Sequence, residues 1–286
     1  MPPIATFSLV ARDPDSGDLG VAVASKFLAV GAVVPHARAG VGAVATQSYA
    51  NPSYGPRALA ILEAGGLPEH AHGAFRASDP DHPQRQYGIV AAGGQALTFT
   101  GDACHPWAGG HAEAGLAAQG NLLTGPEVIE ALVTTFRERD DLPFPERLLA
   151  ALLAADRAGG DRRGRQSAAL LVVGEGKGYG GLSDRWIDLR VDDHPDPVPE
   201  LGRLLELHRL YFTGEQSPEP LSAADLAWLG ELLVAEGELP APPKAWGPAF
   251  EAALRRLLGR ENLENRYAGG PALEPGVLAY LRRRFS

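Results

Sequence analysis

Thr6, Ser25 and Lys26 are the residues whose types and spacing carry the most specific chemistry in this sequence. Thr6 opens a short apolar run, Thr6-Phe-Ser-Leu-Val-Ala. Ser25, followed by Lys26, closes another, Leu19-Gly-Val-Ala-Val-Ala. A threonine hydroxyl becomes a useful nucleophile only when a base takes its proton. An α-amino group with a pKa near ~8 can do so when threonine is the first residue of the chain. A neighbouring serine would orient the hydroxyl, and an ammonium would lower the pKa of the amine electrostatically. This is the chemistry of an amidohydrolase with an N-terminal nucleophile. It carries a requirement: Met-Pro-Pro-Ile-Ala precedes Thr6, so loss of the initiator Met does not free its amine and the bond Ala5–Thr6 must be cut by the chain itself. The simpler readings are a β-branched strand residue at Thr6, a structural Ser8 on the same face at period two, and a solvated strand end at Lys26.

The elements that must position these residues begin with a turn. Asp13-Pro-Asp-Ser-Gly-Asp separates the two runs, with Pro14 presetting φ and Gly17 free to take φ > 0, so residues 6–25 read as a β-hairpin. Ala29–Val34 and Val41–Thr46 read as further strands of small residues, and Thr46, Gln47 and Asn51 fall where a strand leaves the sheet, a place for substrate contacts. Asn121 follows a strand predicted at Gly115–Gln119, and its amide is a candidate donor to a tetrahedral oxyanion. Arg162, Arg165, Gln166 and Ser167 lie in the most concentrated polar stretch, Asp161-Arg-Arg-Gly-Arg-Gln-Ser. Arginines there suit a bidentate substrate carboxylate, against the alternative of a salt-bridged loop. Asp192-Asp193-His194, followed by prolines, reads as a domain exit. The histidines lack metal-ligand spacing, there is no Gly-x-Ser-x-Gly elbow, and Gly40-Val-Gly-Ala-Val-Ala lies inside a strand pattern, so neither metal nor cofactor is expected.

Helices are predicted at Pro56–Ala64, Pro68–Arg76, Pro126–Glu138 with Thr124 as N-cap, and Pro145–Ala158. Strands are predicted at Arg85–Ala91, Gln95–Thr100, Ser167–Val173 and Trp186–Val191. Strand blocks separated by helix pairs are not βαβ alternation. They predict an α+β, αββα sandwich of two stacked antiparallel sheets over residues 1–196. A connecting helix and linker follow at 197–217, then a small all-α module at 218–286 with helices at Ser222–Glu236, Trp246–Leu258 and Pro275–Arg284.

The chain has 286 residues and a net charge of −9. Residues 197–286 hold 10 basic against 12 acidic residues and residues 1–196 hold 16 against 23, so neither part has the positive field that nucleic acid binding needs. The single cysteine, Cys104, excludes an internal disulfide. No positive n-region, signal h-region or long apolar span is present, so a cytoplasmic protein without membrane association is expected.

Thr6-Phe-Ser-Leu-Val-Ala-Arg-Asp, Gly20-Val-Ala-Val-Ala-Ser-Lys-Phe, Gly40-Val-Gly-Ala-Val-Ala-Thr-Gln and Gln119-Gly-Asn-Leu-Leu resemble a bacterial and archaeal family, domain of unknown function 1028. Gly160-Asp-Arg-Arg-Gly-Arg-Gln-Ser and Arg190-Val-Asp-Asp-His-Pro-Asp-Pro carry the same likeness, which covers roughly residues 5–212. The resemblance implies a fold similar to the N-terminal-nucleophile hydrolases, in a family whose activity is not established. Residues ~218–286, with Trp246 and Glu261-Asn-Leu-Glu-Asn-Arg, resemble a module labelled as peptidoglycan-binding. The expected function is an amidohydrolase acting on a small amide or peptide such as a muropeptide. The alternative is a non-catalytic protein that binds cell-wall fragments through the C-terminal module, or uses that module to form a homodimer.

Overall fold

The computed structural model of the chain describes residues 6–212 and 217–285. It divides into two compact units, Met1–Leu205 and Glu206–Ser286. The strands of the first unit are β1 (Thr6–Arg12), β2 (Leu19–Ser25), β3 (Pro35–Arg38), β4 (Gly42–Ser48), β5 (Arg85–Ala91), β6 (Ala96–Thr100), β7 (Gly109–Glu113), β8 (Leu116–Gly120), β9 (Ser167–Val173) and β10 (Arg185–Val191). Its helices are α1 (Tyr54–Glu63), α2 (Pro68–Ser78), α3 (Glu127–Glu138) and α4 (Phe144–Arg157), and α5 (Pro197–Phe212) carries the boundary between the units.

All pairings are antiparallel. One sheet has the order β10-β9-β2-β1-β8-β7 and the other β3-β4-β5-β6. The opening hairpin forms because Asp13 accepts from the Ser16 backbone N–H at 3.3 Å while Gly17 takes φ 77°. It aligns Thr6 with Ser25 and Arg12 with Leu19. Alternate residues of each strand then face opposite layers. Phe7, Leu9, Ala22 and Ala24 pack with Leu132, Phe136, Leu148 and Leu152 of α3 and α4. Val10, Val21, Val23, Ala43, Ala45 and Val90 lie between the sheets. Val44 and Ile89 pack with Tyr54, Ala58 and Phe75 of α1 and α2. The result is a mixed α/β unit of stacked antiparallel sheets with a helix pair on each outer face. Leu132, Leu148 and Leu152 are fully buried, each contributing about 2 kcal/mol by transfer from water.

Three local expectations are corrected. Residues 29–34 form a short turn of 3-10 helix at Val30–Ala32 instead of a strand. Ser167 Oγ accepts from Val30 N at 3.1 Å and Asp192 O accepts from Ala29 N at 2.9 Å, which satisfies the backbone without a ladder. β7, Gly-Gly-His-Ala-Glu, was not expected as a strand: two glycines and no β-branched residue give it no propensity signal, and its pairing to β8 supplies the order. Thr124 does not cap α3, which starts behind Pro126 without a side-chain cap. Its N–H instead bonds Gly160 O at 3.2 Å.

In the second unit α6 (Ala223–Ala235), α7 (Pro248–Arg260) and α8 (Pro275–Arg284) enclose Leu229, Leu233, Phe250, Leu254, Leu258 and Leu281. Ser222 caps α6 as expected, accepting from Asp225 N at 3.1 Å while Asp225 accepts from Ser222 N at 3.0 Å. Two-residue strands β11 (Glu219–Pro220) and β12 (Ala272–Leu273) pair within the module expected to be all-α, just beyond the expected linker. Residues 213–216 of that linker lie outside the described residues. No helix among the described residues is long and apolar enough to cross a membrane.

Candidate functional site

The layer between the sheets changes character along the strands. Read down the inward positions, β1 runs Val10, Ser8, Thr6 and β9 runs Leu171, Ala169, Ser167. β4 runs Ala45 to Gln47, and β5 runs Val90, Gly88, Gln86. One end is apolar and the other is a buried polar seam. Register draws Thr6, Ser25 and Ser167 into a row across β1, β2 and β9, and Asn121 extends it, donating its backbone N–H to Thr6 O at 3.0 Å. Thr6 Oγ1 donates to Ser25 Oγ at 3.2 Å. Thr6 and Asn121 are both 0% exposed.

Behind the row, three glutamine amides knit the sheets together. Gln86 Nε2 donates to Gly120 O at 2.7 Å, Thr100 Oγ1 at 2.8 Å and Gly109 O at 3.3 Å. Gln86 Oε1 accepts from Gln47 Nε2 and from Asn121 Nδ2, both at 2.9 Å. Gln47 Nε2 also reaches Thr6 O at 3.2 Å, and its Oε1 accepts from Ser8 Oγ at 2.6 Å. Gln119 Nε2 donates to Ser8 Oγ at 2.6 Å. Gly88 makes room for this crossing: a Cβ there would lie 2.1 Å from Gln119 Oε1. Ser8, Gln86 and Gln119 were not singled out from the sequence as site residues. Their signal was an amide or hydroxyl at an inward position of a strand otherwise apolar on both faces.

The remaining expected residues are placed as follows. Lys26 is exposed: its Nζ donates to Arg165 O at 3.1 Å, and its backbone N–H to Asp161 Oδ2 at 3.0 Å. Ser167 Oγ donates to Phe27 O, fixing the loop after β2. Arg163 is held by the buried Asp161 at 2.8 Å, and Arg165 by Asp156 at 2.8 Å and Asp196 at 3.5 Å. Gln166 Nε2 donates to Asp193 at 3.1 Å. The exposed Arg162 guanidinium makes no ion pair among the described residues, while its backbone N–H donates to Leu122 O at 2.9 Å. Thr46 and Asn51 are not brought to Thr6. Thr46 Oγ1 donates to Asn51 O at 3.3 Å, and Asn51 Nδ2 to Asp79 at 3.2 Å, on the helical side of the smaller sheet. An open cleft of about 490 Å³ lined by Asp13, Asp15, Arg137 and Phe144 lies by the far end of β1. Among the described residues no group of three or more His, Cys, Asp or Glu could hold a metal.

Left-handed backbone also gathers at the polar end. Within the first unit, non-glycine positive φ occurs at Leu122 (54°), Ser48 (67°) and Ala29 (54°), next to Asn121, next to Gln47 and in the loop tied by Ser167. Such conformations cost about 1–3 kcal/mol each and persist where the surroundings enforce them, which is common at functional sites.

A second polar cluster sits beside α2. Tyr87 Oη lies 2.7 Å from His72 Nδ1 and 2.9 Å from His82 Nε2, so one imidazole accepts from the phenol and the other donates to it. Burial lowers both histidine pKa values. Arg76 adds to the shift at His72 against Glu69; His72, Arg76 and Arg85 add to it at His82 against Asp79. Neutral imidazoles are therefore preferred in the fold. Stability is full above pH 6.5 and falls as pH drops below it, because the unfolded chain takes up protons first. The urea midpoint is expected to decline as pH falls below about 6.5, and less steeply in His72→Gln. A flat profile in the parent protein would refute this.

Two stacked antiparallel sheets sheathed by helix pairs, with a buried hydroxyl and amide seam at one end, define the class: a mixed α/β protein with an inter-sheet polar site. The chain belongs to the family described as Family of unknown function (DUF1028), which matches residues 6–201. Among solved structures it is similar to protein SPO2555 from Silicibacter pomeroyi, described with the same family. The two are 33% identical, with 72% of this chain and 89% of that chain covered, at a TM-score of 0.65. No curated protein matches the chain at a significant level.

Proposed function

We propose that this protein is an amidohydrolase of the N-terminal-nucleophile type on an αββα sandwich, with Thr6 as nucleophile and Ser25 as the group that orients its hydroxyl. The observation that carries the reading is the 3.2 Å contact of Thr6 Oγ1 with Ser25 Oγ inside a buried polar seam at the end of the first strand. Cleavage of Ala5–Thr6 would supply the amine as base; Met1–Ala5 lie outside the described residues. Arg163 and Arg165 are engaged by carboxylates of their own chain, so of the three arginines Arg162 is the one left for a substrate carboxylate. The substrate class is a small amide or peptide bearing a carboxylate, such as a muropeptide. Binding of cell-wall fragments by residues 218–286 has less support, because the Trp228 ring centre lies 5.0 Å from the Arg282 guanidinium and Trp246 lies tilted against Phe250 with ring centres 4.8 Å apart, both as packing residues.

Intact mass and labelling test the reading. The expressed protein is expected to lose Met1–Ala5 and to gain one equivalent of a β-lactone electrophile on Thr6, while Thr6→Ala stays uncut and unlabelled. A verified N-terminal Thr6 that ignores the electrophile, or a chain that keeps Met1–Ala5 in every preparation, ends the proposal.

A further inference from the structure

Amide orientations in the seam are fixed by backbone. Gln86 must turn its Nε2 toward the Gly120 and Gly109 carbonyls, which cannot donate, so its Oε1 points the other way. Gln47 must likewise turn its Nε2 toward Thr6 O and Gln119 O. The Oε1 of Gln86 therefore faces Asn121 and requires Nδ2 there, at 2.9 Å. A flipped Asn121 would set two carbonyl oxygens against each other. By this chain of constraints Asn121 Oδ1 is the atom left over. It is fully buried and has no hydrogen-bond partner among the described residues. Native proteins rarely leave such an acceptor unmet, and each exception calls for a partner.

We infer that Asn121 Oδ1 is a ligand-reading acceptor that receives an N–H from the substrate, so the site selects amides that carry a hydrogen on nitrogen over esters and tertiary amides. The inference rests on the hydrolase reading above for the substrate being an amide, and it gives Asn121 the role of an acceptor, distinct from the oxyanion donor expected from the sequence. The Asn121 backbone N–H is already spent on Thr6 O, and Nδ2 on Gln86, which holds the side chain in place. Oδ1 is thus a positioned acceptor on the residue whose backbone bonds the proposed nucleophile's carbonyl. A site built to satisfy a substrate N–H rejects an analogue lacking it because the buried oxygen is then left unpaired.

The test uses the full chain with whatever N-terminus its own processing leaves. Side-chain amide resonances of Asn121 and Gln86 are followed by NMR during titration with acetamide and N-methylacetamide, then with N,N-dimethylacetamide and methyl acetate. The N–H-bearing pair is expected to bind about tenfold more tightly and to shift Asn121. The gap should close in Asn121→Leu and persist in Asn121→Asp, whose protonated carboxyl can donate to Gln86 and keep an acceptor oxygen. Equal binding of all four probes, or no response at Asn121, overturns the inference. Thr6→Ala separates the two proposals. If the gap persists while Thr6 never reacts with an electrophile, only the hydrolase reading falls. If Thr6 is reactive and the gap is missing, only the acceptor role falls.

Discussion

Replacing Gly88 by alanine is expected to destabilise the first unit by about 3–5 kcal/mol and to lower its melting temperature by roughly 10 °C. The added methyl carbon would stand 2.1 Å from Gln119 Oε1, 2.7 Å from Cδ and 2.9 Å from Nε2, so one side must move. Gln119 cannot move freely. Its Nε2 is held 2.6 Å from Ser8 Oγ and its Oε1 accepts from Thr98 Oγ1 at 3.2 Å. Displacing it leaves both ends of the amide without partners in a buried layer, at about 1–3 kcal/mol for each unmet group, and Ser8 Oγ keeps only the bond it donates to Gln47 Oε1. β5 cannot yield either, since it is paired on both sides by β4 and β6. A double-mutant cycle isolates the cause. In a Gln119→Ala background, Gly88→Ala should cost below about 1 kcal/mol, because the obstructing amide is gone. An equal cost in both backgrounds would place the strain in the strand itself and remove the seam from the explanation.

The sequence made the strand ends of this unit legible and hid what joins them. The opening hairpin, β5, β9 and α8 follow directly from alternation, turn residues and caps, because burial of small apolar residues on both faces leaves few other options. The row Thr6–Ser25 was readable for the same reason, since turn position fixes register and register fixes neighbours. The glutamine network was not, although each residue was in plain view. A lone Gln86 or Gln119 in a strand has many explanations until pairing order puts β1, β4, β5 and β8 around one point. Lys26 shows the limit of reasoning from sequence neighbours: one residue beyond Ser25 the chain leaves the strand, and its ammonium reaches Arg165 O instead of Thr6. Thr46, out of phase with Gln47 by one residue, faces the opposite layer for the same period-two reason.

Gln86→Glu gives the most direct test of the orientation on which the Asn121 assignment depends, and its expected signature is a pH dependence absent from the parent protein. The substituted carboxyl has the shape of the amide. Its second oxygen would take the place of Nε2, facing Gly120 O where 2.7 Å now separates donor from acceptor. Ionised, it would oppose that carbonyl as well as Gly109 O and would be stripped of water; protonated, it can donate as the amide does. Burial and the facing carbonyls therefore raise its folded pKa above the ordinary value of about 4.3. The sign follows from linkage. Below pH ~4.3 both folded and unfolded forms hold the proton, and stability stays close to that of a neutral side chain. As pH rises past that point the unfolded chain releases its proton while the folded one keeps it. Stability then falls by about 1.4 kcal/mol per pH unit until the folded pKa is reached. Urea titrations from pH 4 to 8 should show this decline in Gln86→Glu and not in Gln86→Met, which removes hydrogen bonds without adding a titrating group. Were Gln86→Glu to gain stability relative to the parent protein as pH rises, the position would be reading donors instead of carbonyls. The amide would then be turned the other way, and Asn121 with it, leaving a donor where the proposed substrate contact needs an acceptor.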